Sequence, residues 1–189
     1  MPFDHFKLFA NLFDRGGPFV ISEPLLGLLS LSVNNRLLDA GGGTGRIAAS
    51  LRGIVREVLV EDVSSSMLRY SARKGLESIC APVEALPFLS ESFDRIIMMD
   101  SLHHVSNQKQ AISELWRVLI PGGRIVIIEP DIHRYAGKLI ALGEKIILMR
   151  SHFLSAEEIT VLFTDPVAQI EIRHDEFHVF VVGDKPRRI

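Results

Sequence analysis

Cysteine is nearly absent: in 189 residues there is only Cys80. One thiol forms no internal disulfide and builds no thiolate metal site by itself, which fits a reducing compartment, the cytoplasm being the simplest. Charge of one sign is also missing. The chain has 21 Lys and Arg against 23 Asp and Glu, a formal charge of −2. Its basic residues are scattered apart from Lys185, Arg187 and Arg188, so the electrostatic footprint of a nucleic-acid partner is not there. No stretch approaches the roughly 20 uncharged apolar residues of a membrane span. The start, Met1 to Lys7, lacks the basic-then-apolar order of a leader.

What is present is the composition of one globular domain. With 47% hydrophobic and 23% charged residues, neither a disordered nor a fibrous chain is indicated. Arg36-Leu37-Leu38-Asp39-Ala40 is a short apolar run ending in Gly41-Gly42-Gly43-Thr44-Gly45, a strand entering a tight turn. A helical stretch through Ala48 and Leu51 follows, then a strand over Glu57 to Asp62. Ser64 opens a helix through Met67, Leu68 and Ala72 that Gly75 closes. The alternation continues with strands at Leu76 to Cys80 and Phe93 to Met99 and a helix from Asn107 to Leu119, capped by Asn107 and stopped by Pro121-Gly122-Gly123. Arg124 to Glu129 is β-branched and almost wholly apolar, as expected of a strand covered on both faces of a parallel sheet.

A helix from His133 to Arg150 and a short one opened by Ser155-Ala156-Glu157-Glu158 come next. Ala168 to Arg173 and Phe177 to Val182, separated by a few polar residues, read as an antiparallel hairpin. Helices over Phe3 to Phe13 and Pro18 to Leu31 precede the first strand. The expected organisation is a single domain, 1–189: N-terminal helices over 1–34, a ligand-binding core over 35–131, and a covering helix with a closing hairpin over 132–189.

The glycine turn carries most of the chemistry, because strand, glycine loop and helix let backbone approach a nucleotide-like ligand at the carboxyl edge of an α/β sheet. The spacing is G-x-G-x-G. A dinucleotide fingerprint needs glycine at position 46, where this chain has Arg46, which opposes a nicotinamide-dependent oxidoreductase. Asp39 adds a carboxylate that suits an ammonium better than a pyrophosphate. Asp62, at the tip of the second strand, is placed to accept from both hydroxyls of a ribose. A nucleoside carrying an amino acid satisfies both.

These residues resemble the class I S-adenosylmethionine-dependent methyltransferases, in particular the branch acting on small molecules and in quinone biosynthesis. Leu37 to Gly45 is similar to that family's first motif, and Val60 to Leu68 to its second-strand acidic motif. Glu84-Ala85-Leu86-Pro87-Phe88 with Ser92-Phe93-Asp94 is similar to the segment entering strand four, and Glu114 to Gly123 to the E-x-x-R-V-L-x-P-G-G signature before strand five. The resemblance runs in order from Arg36 to Asp131. It implies a doubly wound α/β fold, a mostly parallel seven-stranded sheet with a C-terminal antiparallel hairpin, and S-adenosyl-L-methionine as cofactor. It places the methionine end near Asp39, Gly41, Gly42 and Gly43, the ribose on Asp62, the adenine between Val63 and the Pro82-Val83-Glu84 segment, and the sulfonium near Asp100 and Ser101.

There are two departures from the family. Many relatives have an acidic residue at position 82, where Pro82 offers no side-chain acceptor. Many also have Tyr-Asp where this chain has Phe13-Asp14. A sulfonium leaves readily, so transfer needs alignment and exclusion of water, with a general base optional. His103 and His104, after the fourth strand, sit where the family places acceptor-facing residues and are the candidate bases.

Each assignment competes with a plainer one. Asp62 can cap the next helix, one of the paired histidines can pack while the other faces water, and Cys80 reads as a buried small hydrophobe. His174 and His178 read as a solvated turn rather than a metal site. The function is expected to be methyl transfer to a small, partly apolar acceptor. A non-catalytic cofactor-binding module is the alternative from another class. Surplus apolar positions between Ile132 and Met149 suggest either a lid over the acceptor or a homodimer interface.

Overall fold

The computed structural model describes residues 22–133 and 151–188. In chain order the elements are α1 (Glu23–Leu29), β1 (Arg36–Ala40), α2 (Arg46–Leu51), β2 (Glu57–Asp62), α3 (Ser65–Arg73), β3 (Glu77–Cys80), β4 (Phe93–Met99), α4 (Gln108–Val118), β5 (Leu119–Pro130), α5 (Ala156–Val161), β6 (Gln169–His174) and β7 (His178–Asp184). Short 3₁₀ turns lie at Val83–Ala85 and Leu102–His104.

Local chemistry sets the helix ends. The side chains of Ser22, Ser64, Asn107 and Ser155 each accept a backbone N–H of the following first turn, and Ser155 forms a full capping box with Glu158. Gly75, at φ +70°, takes the left-handed conformation just past α3.

The seven strands form one sheet in the order β3-β2-β1-β4-β5-β7-β6. β1 to β5 pair in parallel, and β7 runs antiparallel between β5 and β6. Alternation along the strands feeds two layers. Leu38, Ile96, Met98, Ile125, Ile127, Val179 and Val181 pack with Ala111, Ile112 and Leu115 of α4 and Ile159 of α5. Leu37, Ile97, Val126, Ile128 and Val182 pack on the other face with Leu25 and Leu29 of α1 and Leu51 of α2. From β1 the connections run outward to β2 and β3 on one side, and from β4 to β5 on the other. The edge between β1 and β4 is therefore the switch point, where such sheets open a crevice beyond the carboxyl ends of their strands.

The structure departs from the sequence expectation at two places. β5 begins at Leu119, directly after α4, and absorbs Pro121-Gly122-Gly123 as an irregularity between the Phe93↔Leu119 and Arg95↔Arg124 pairs. Gly122 sits there at φ +81°, so the P-G-G segment bends a strand instead of separating it from the helix. Cys80 is exposed, because β3 is an edge strand and covers little on either side. The helix expected over Pro18 to Leu31 is seen as α1 over its described part. Phe3 to Phe13, Phe13-Asp14 and the lid residues beyond His133 lie outside the described residues. No helix among the described residues is long and apolar enough to cross a membrane.

Candidate functional site

At the end of β1 the chain turns through three left-handed glycines, Gly41 at φ +64°, Gly43 at +55° and Gly45 at +73°. Side-chain-bearing residues rarely adopt these angles. Space forbids a side chain too: a Cβ on Gly41 would fall inside the Ser101 side chain, and one on Gly42 would lie 2.6 Å from the Asp39 carboxylate. Gly41 and Ser101 therefore touch across the switch point, joining the β1 turn to the loop after β4.

Three carboxylates hold this turn. Asp62 Oδ2 accepts the Gly43 N–H at 2.9 Å, and its Oδ1 accepts the Ser64 N–H at 2.7 Å. The ribose candidate thus also organises the turn and the entry to α3. Asp39 is 1% exposed, its Oδ2 accepting the Ala48 N–H at 3.2 Å. It lies beneath the turn and braces α2 rather than presenting its carboxylate at the surface. Burial pushes it up to about 7, opposed by the Ala48 hydrogen bond and assisted by the nearby charge of Asp62.

Sequence reasoning passed over the third carboxylate, Glu61. It is equally buried and accepts the Gly41 N–H at 3.3 Å, while its backbone carbonyl accepts the Gly42 N–H at 3.0 Å. Burial pushes Glu61 up to about 8, against the Gly41 hydrogen bond and with the charges of Asp62, Glu84 and Asp39. A glutamate closing the apolar run Val58-Leu59-Val60 was its signal.

The remaining cofactor-side candidates divide. Val63 is 65% exposed at the edge, whereas Val83 is buried in the core and offers the edge only its backbone. Glu84 accepts the Asn107 N–H at 3.3 Å, tying its segment to the start of α4. Asp100 adopts φ +49°, a conformation Asp tolerates better than most residues, and its backbone N–H donates to the Ile128 carbonyl at 2.9 Å.

Glu129, at the end of β5, organises the loop beyond Asp100 and was a second residue missed. Its Oε1 accepts the backbone N–H groups of Ser101 (3.1 Å) and Leu102 (2.8 Å), and its Oε2 lies 2.5 Å from His103 Nδ1. His103 is 2% exposed and stacks on Phe153 with ring centroids 4.4 Å apart. Of the two candidate bases, His103 is thus built into the interior. His104 lies half-buried with Nδ1 3.2 Å from Ser151 Oγ. The hairpin turn from His174 to Phe177 is exposed, and its histidines meet carboxylates: His174 Nδ1 lies 3.0 Å from Asp131 Oδ2, and His178 Nε2 lies 3.9 Å from Asp100 Oδ1.

A parallel-centred sheet with a glycine turn at its switch point, and a carboxylate at the tip of the adjoining strand, defines a domain for nucleoside-like ligands. Comparison with known proteins narrows this. Residues 38–127 match the family model described as a methyltransferase domain. The chain is 36% identical over 110 residues to the ubiquinone/menaquinone biosynthesis C-methyltransferase UbiE of Coxiella burnetii, a match covering 52% of this chain and 44% of that enzyme. The chain thus aligns with less than half the length of that relative.

Among solved structures, a methyltransferase from Haloferax volcanii in complex with the Trm112 methyltransferase activator superposes with a TM-score of 0.79 at 17% identity, over 99% of this chain and 100% of that one. A SAM-dependent methyltransferase from Thermotoga maritima superposes at 0.74 and 20% identity, over 95% and 98%. Residues 38–127 are thus similar to a methyltransferase domain, and the fold is the one these S-adenosylmethionine-dependent methyltransferase structures share.

Proposed function

We propose that the protein transfers a methyl group from S-adenosylmethionine to a small, partly apolar acceptor. The observation that carries this reading is the turn itself. Gly41, Gly43 and Gly45 are left-handed at the switch point, and the Asp62 carboxylate is bonded to Gly43 N–H beside them. With no side chains in the way, such a turn lets the zwitterionic end of the cofactor approach its backbone, while Asp62 suits a ribose diol. The Asp62 carboxylate beside the turn disfavours a pyrophosphate and favours a cation.

When bound, the cofactor supplies an electrophilic methyl on a sulfonium. Asp62 binds and orients, Glu61 and Asp39 hold the turn in shape, and Ser101 with Asp100 forms the wall on the acceptor side. Alignment of donor and acceptor then lowers the barrier. The resemblance to the quinone C-methyltransferases supports a phenolic, quinol-like acceptor, whose ring carbon is nucleophilic enough to take a methyl cation equivalent.

Calorimetric titration with S-adenosylhomocysteine and with NADH tests the reading. S-adenosylhomocysteine is expected to bind and NADH not to bind at comparable concentration. Tight NADH binding with no response to S-adenosylhomocysteine overturns it.

A further inference from the structure

The closing hairpin brings an imidazole to the edge that holds the glycine turn. β7 starts at His178, which pairs in register with Pro130 at the end of β5. Along β7, His178 alternates with Phe180 and Val182, so it points to the sheet face of α1 and α2. Asp39, which alternates with Leu37 on β1, points to that same face.

The turn before β7 fixes the ring's position. Asp175 Oδ1 accepts the backbone N–H groups of Phe177 and His178, both at 2.7 Å, and lies 3.6 Å from His178 Nδ1. On the other side Nε2 lies 3.9 Å from Asp100 Oδ1, on the residue next to Ser101, which touches Gly41. Asp100 holds a left-handed backbone at that point, a cost that tends to concentrate at working sites. The His178 side chain is 25% exposed, against 2% for His103, so a substrate can reach it. Rings flank it, with Phe177 centred 6.5 Å away and Phe180 6.3 Å away. Of the other titratable groups near this edge, Glu129 is engaged with His103 and Asp131 with His174, while His104 Nδ1 lies 3.2 Å from Ser151 Oγ.

The ribose and adenine sides of the turn lie toward β2 and β3. The acceptor must therefore approach from β4, β5 and β7, where His178 stands. We propose that His178 is the acceptor-side base, its Nε2 taking the hydroxyl proton of a phenolic, quinol-like acceptor, with Asp175 beside Nδ1 orienting the ring and Asp100 facing the imidazolium that forms.

This rests on the methyl-transfer reading above. In the step, the acceptor O–H bond breaks and its proton goes to His178 Nε2. The adjacent ring carbon forms a C–C bond to the methyl, and the C–S bond breaks with its electron pair staying on sulfur. The ring then loses its C–H proton to water, and His178 returns its proton to the oxygen. One proton is released for each methyl transferred.

The test uses the whole chain, S-adenosylhomocysteine, and a 1,4-naphthohydroquinone carrying one prenyl unit. Adding the hydroquinone to the S-adenosylhomocysteine-loaded protein is expected to shift the His178 ring signals in nuclear magnetic resonance spectra. With S-adenosylmethionine, His178→Gln is expected to lower kcat about 100-fold or more, with unchanged circular dichroism and S-adenosylhomocysteine affinity. Free imidazole is expected to restore part of the rate to His178→Ala and none to wild type.

Full turnover in His178→Gln overturns the proposal, as does a loss of S-adenosylhomocysteine affinity in that variant. So does a wild type that binds S-adenosylhomocysteine but neither methylates the hydroquinone nor shifts the His178 signals. A wild type that does not bind S-adenosylhomocysteine overturns the methyl-transfer reading first and this assignment with it.

Discussion

Asp39 and Glu61 each sit under a backbone turn with about 1% of their surface exposed, and burial raises both carboxyls, to about 7 and about 8. In the unfolded chain they ionise near 3.8 and 4.5. Between those limits the folded protein binds more protons than the unfolded one, so their contribution is complete at acid pH and is lost as pH rises through about 7 to 8. The slope is at most about 1.4 kcal/mol per pH unit for each proton. Urea unfolding between about pH 5 and pH 8 is expected to show wild type losing stability with pH more steeply than Asp39→Asn or Glu61→Gln. Parallel curves would refute the assignment.

In the proposed function Asp62 plays two parts, since the carboxylate assigned to a ribose also receives Gly43 and Ser64. Asp62→Ala is therefore expected to weaken S-adenosylhomocysteine binding by a few kcal/mol, at about 1.5–3 kcal/mol per charge-assisted bond. It should also cost about 1–3 kcal/mol in folding stability from the stranded N–H groups. Calorimetry and denaturation of the same variant separate the two effects.

At the scale of elements, the most informative feature is the clasp between α4 and the segment before β4. Arg117 donates to the carbonyls of Leu86 (3.0 Å) and Phe88 (2.8 Å) and to both oxygens of Glu114, which in turn accepts the Leu86 N–H at 2.9 Å. The E-x-x-R signature is thus an architectural lock with no atom at the glycine turn. The Arg117 hydrogen bond holds the Glu114 carboxyl below its ordinary value. Arg117→Lys removes the planar fork that makes these bonds together. It is expected to cost about 1–3 kcal/mol of stability while leaving S-adenosylhomocysteine affinity unchanged.

The same reasoning applies to the end of β5. Glu129→Ala would leave the Ser101 and Leu102 N–H groups and a buried imidazole without their carboxylate. A loss of about 3–5 kcal/mol in chemical denaturation is expected, with Glu129→Gln intermediate.

For the whole molecule, the proposed ligand site lies across the switch point, where elements distant in sequence meet. Ligand binding there is expected to stabilise the fold as one unit. At about 100 times its dissociation constant, S-adenosylhomocysteine should add about 2.7 kcal/mol, seen as a higher Tm, while NAD at equal concentration leaves Tm in place.

Much of this molecule was legible in the linear sequence because the signals are local. The left-handed turn needs glycine at 41, 43 and 45, helix starts need Ser64, Asn107 and Ser155, and apolar periodicity marks β1, β2, β4 and β5. The short edge strand is less legible, since periodicity does not reveal that β3 has a neighbour on one side only, and the exposed Cys80 reads as buried in the sequence. The fate of the P-G-G segment was also hidden, because its bulge exists only against β4.

Strand order decided the rest. The sequence determined that a glycine turn stands at a strand end with Asp62 at the next strand's tip. Only the tertiary structure decided that Glu61 supports the turn, that His103 is held by Glu129 in the interior, and that His178 of β7 comes to face Asp100 of the β4 loop. Periodicity specifies which face of a strand is buried. Which charged groups become neighbours is fixed by the non-consecutive pairings of β1 with β4 and β5 with β7, contacts whose partners no local pattern encodes.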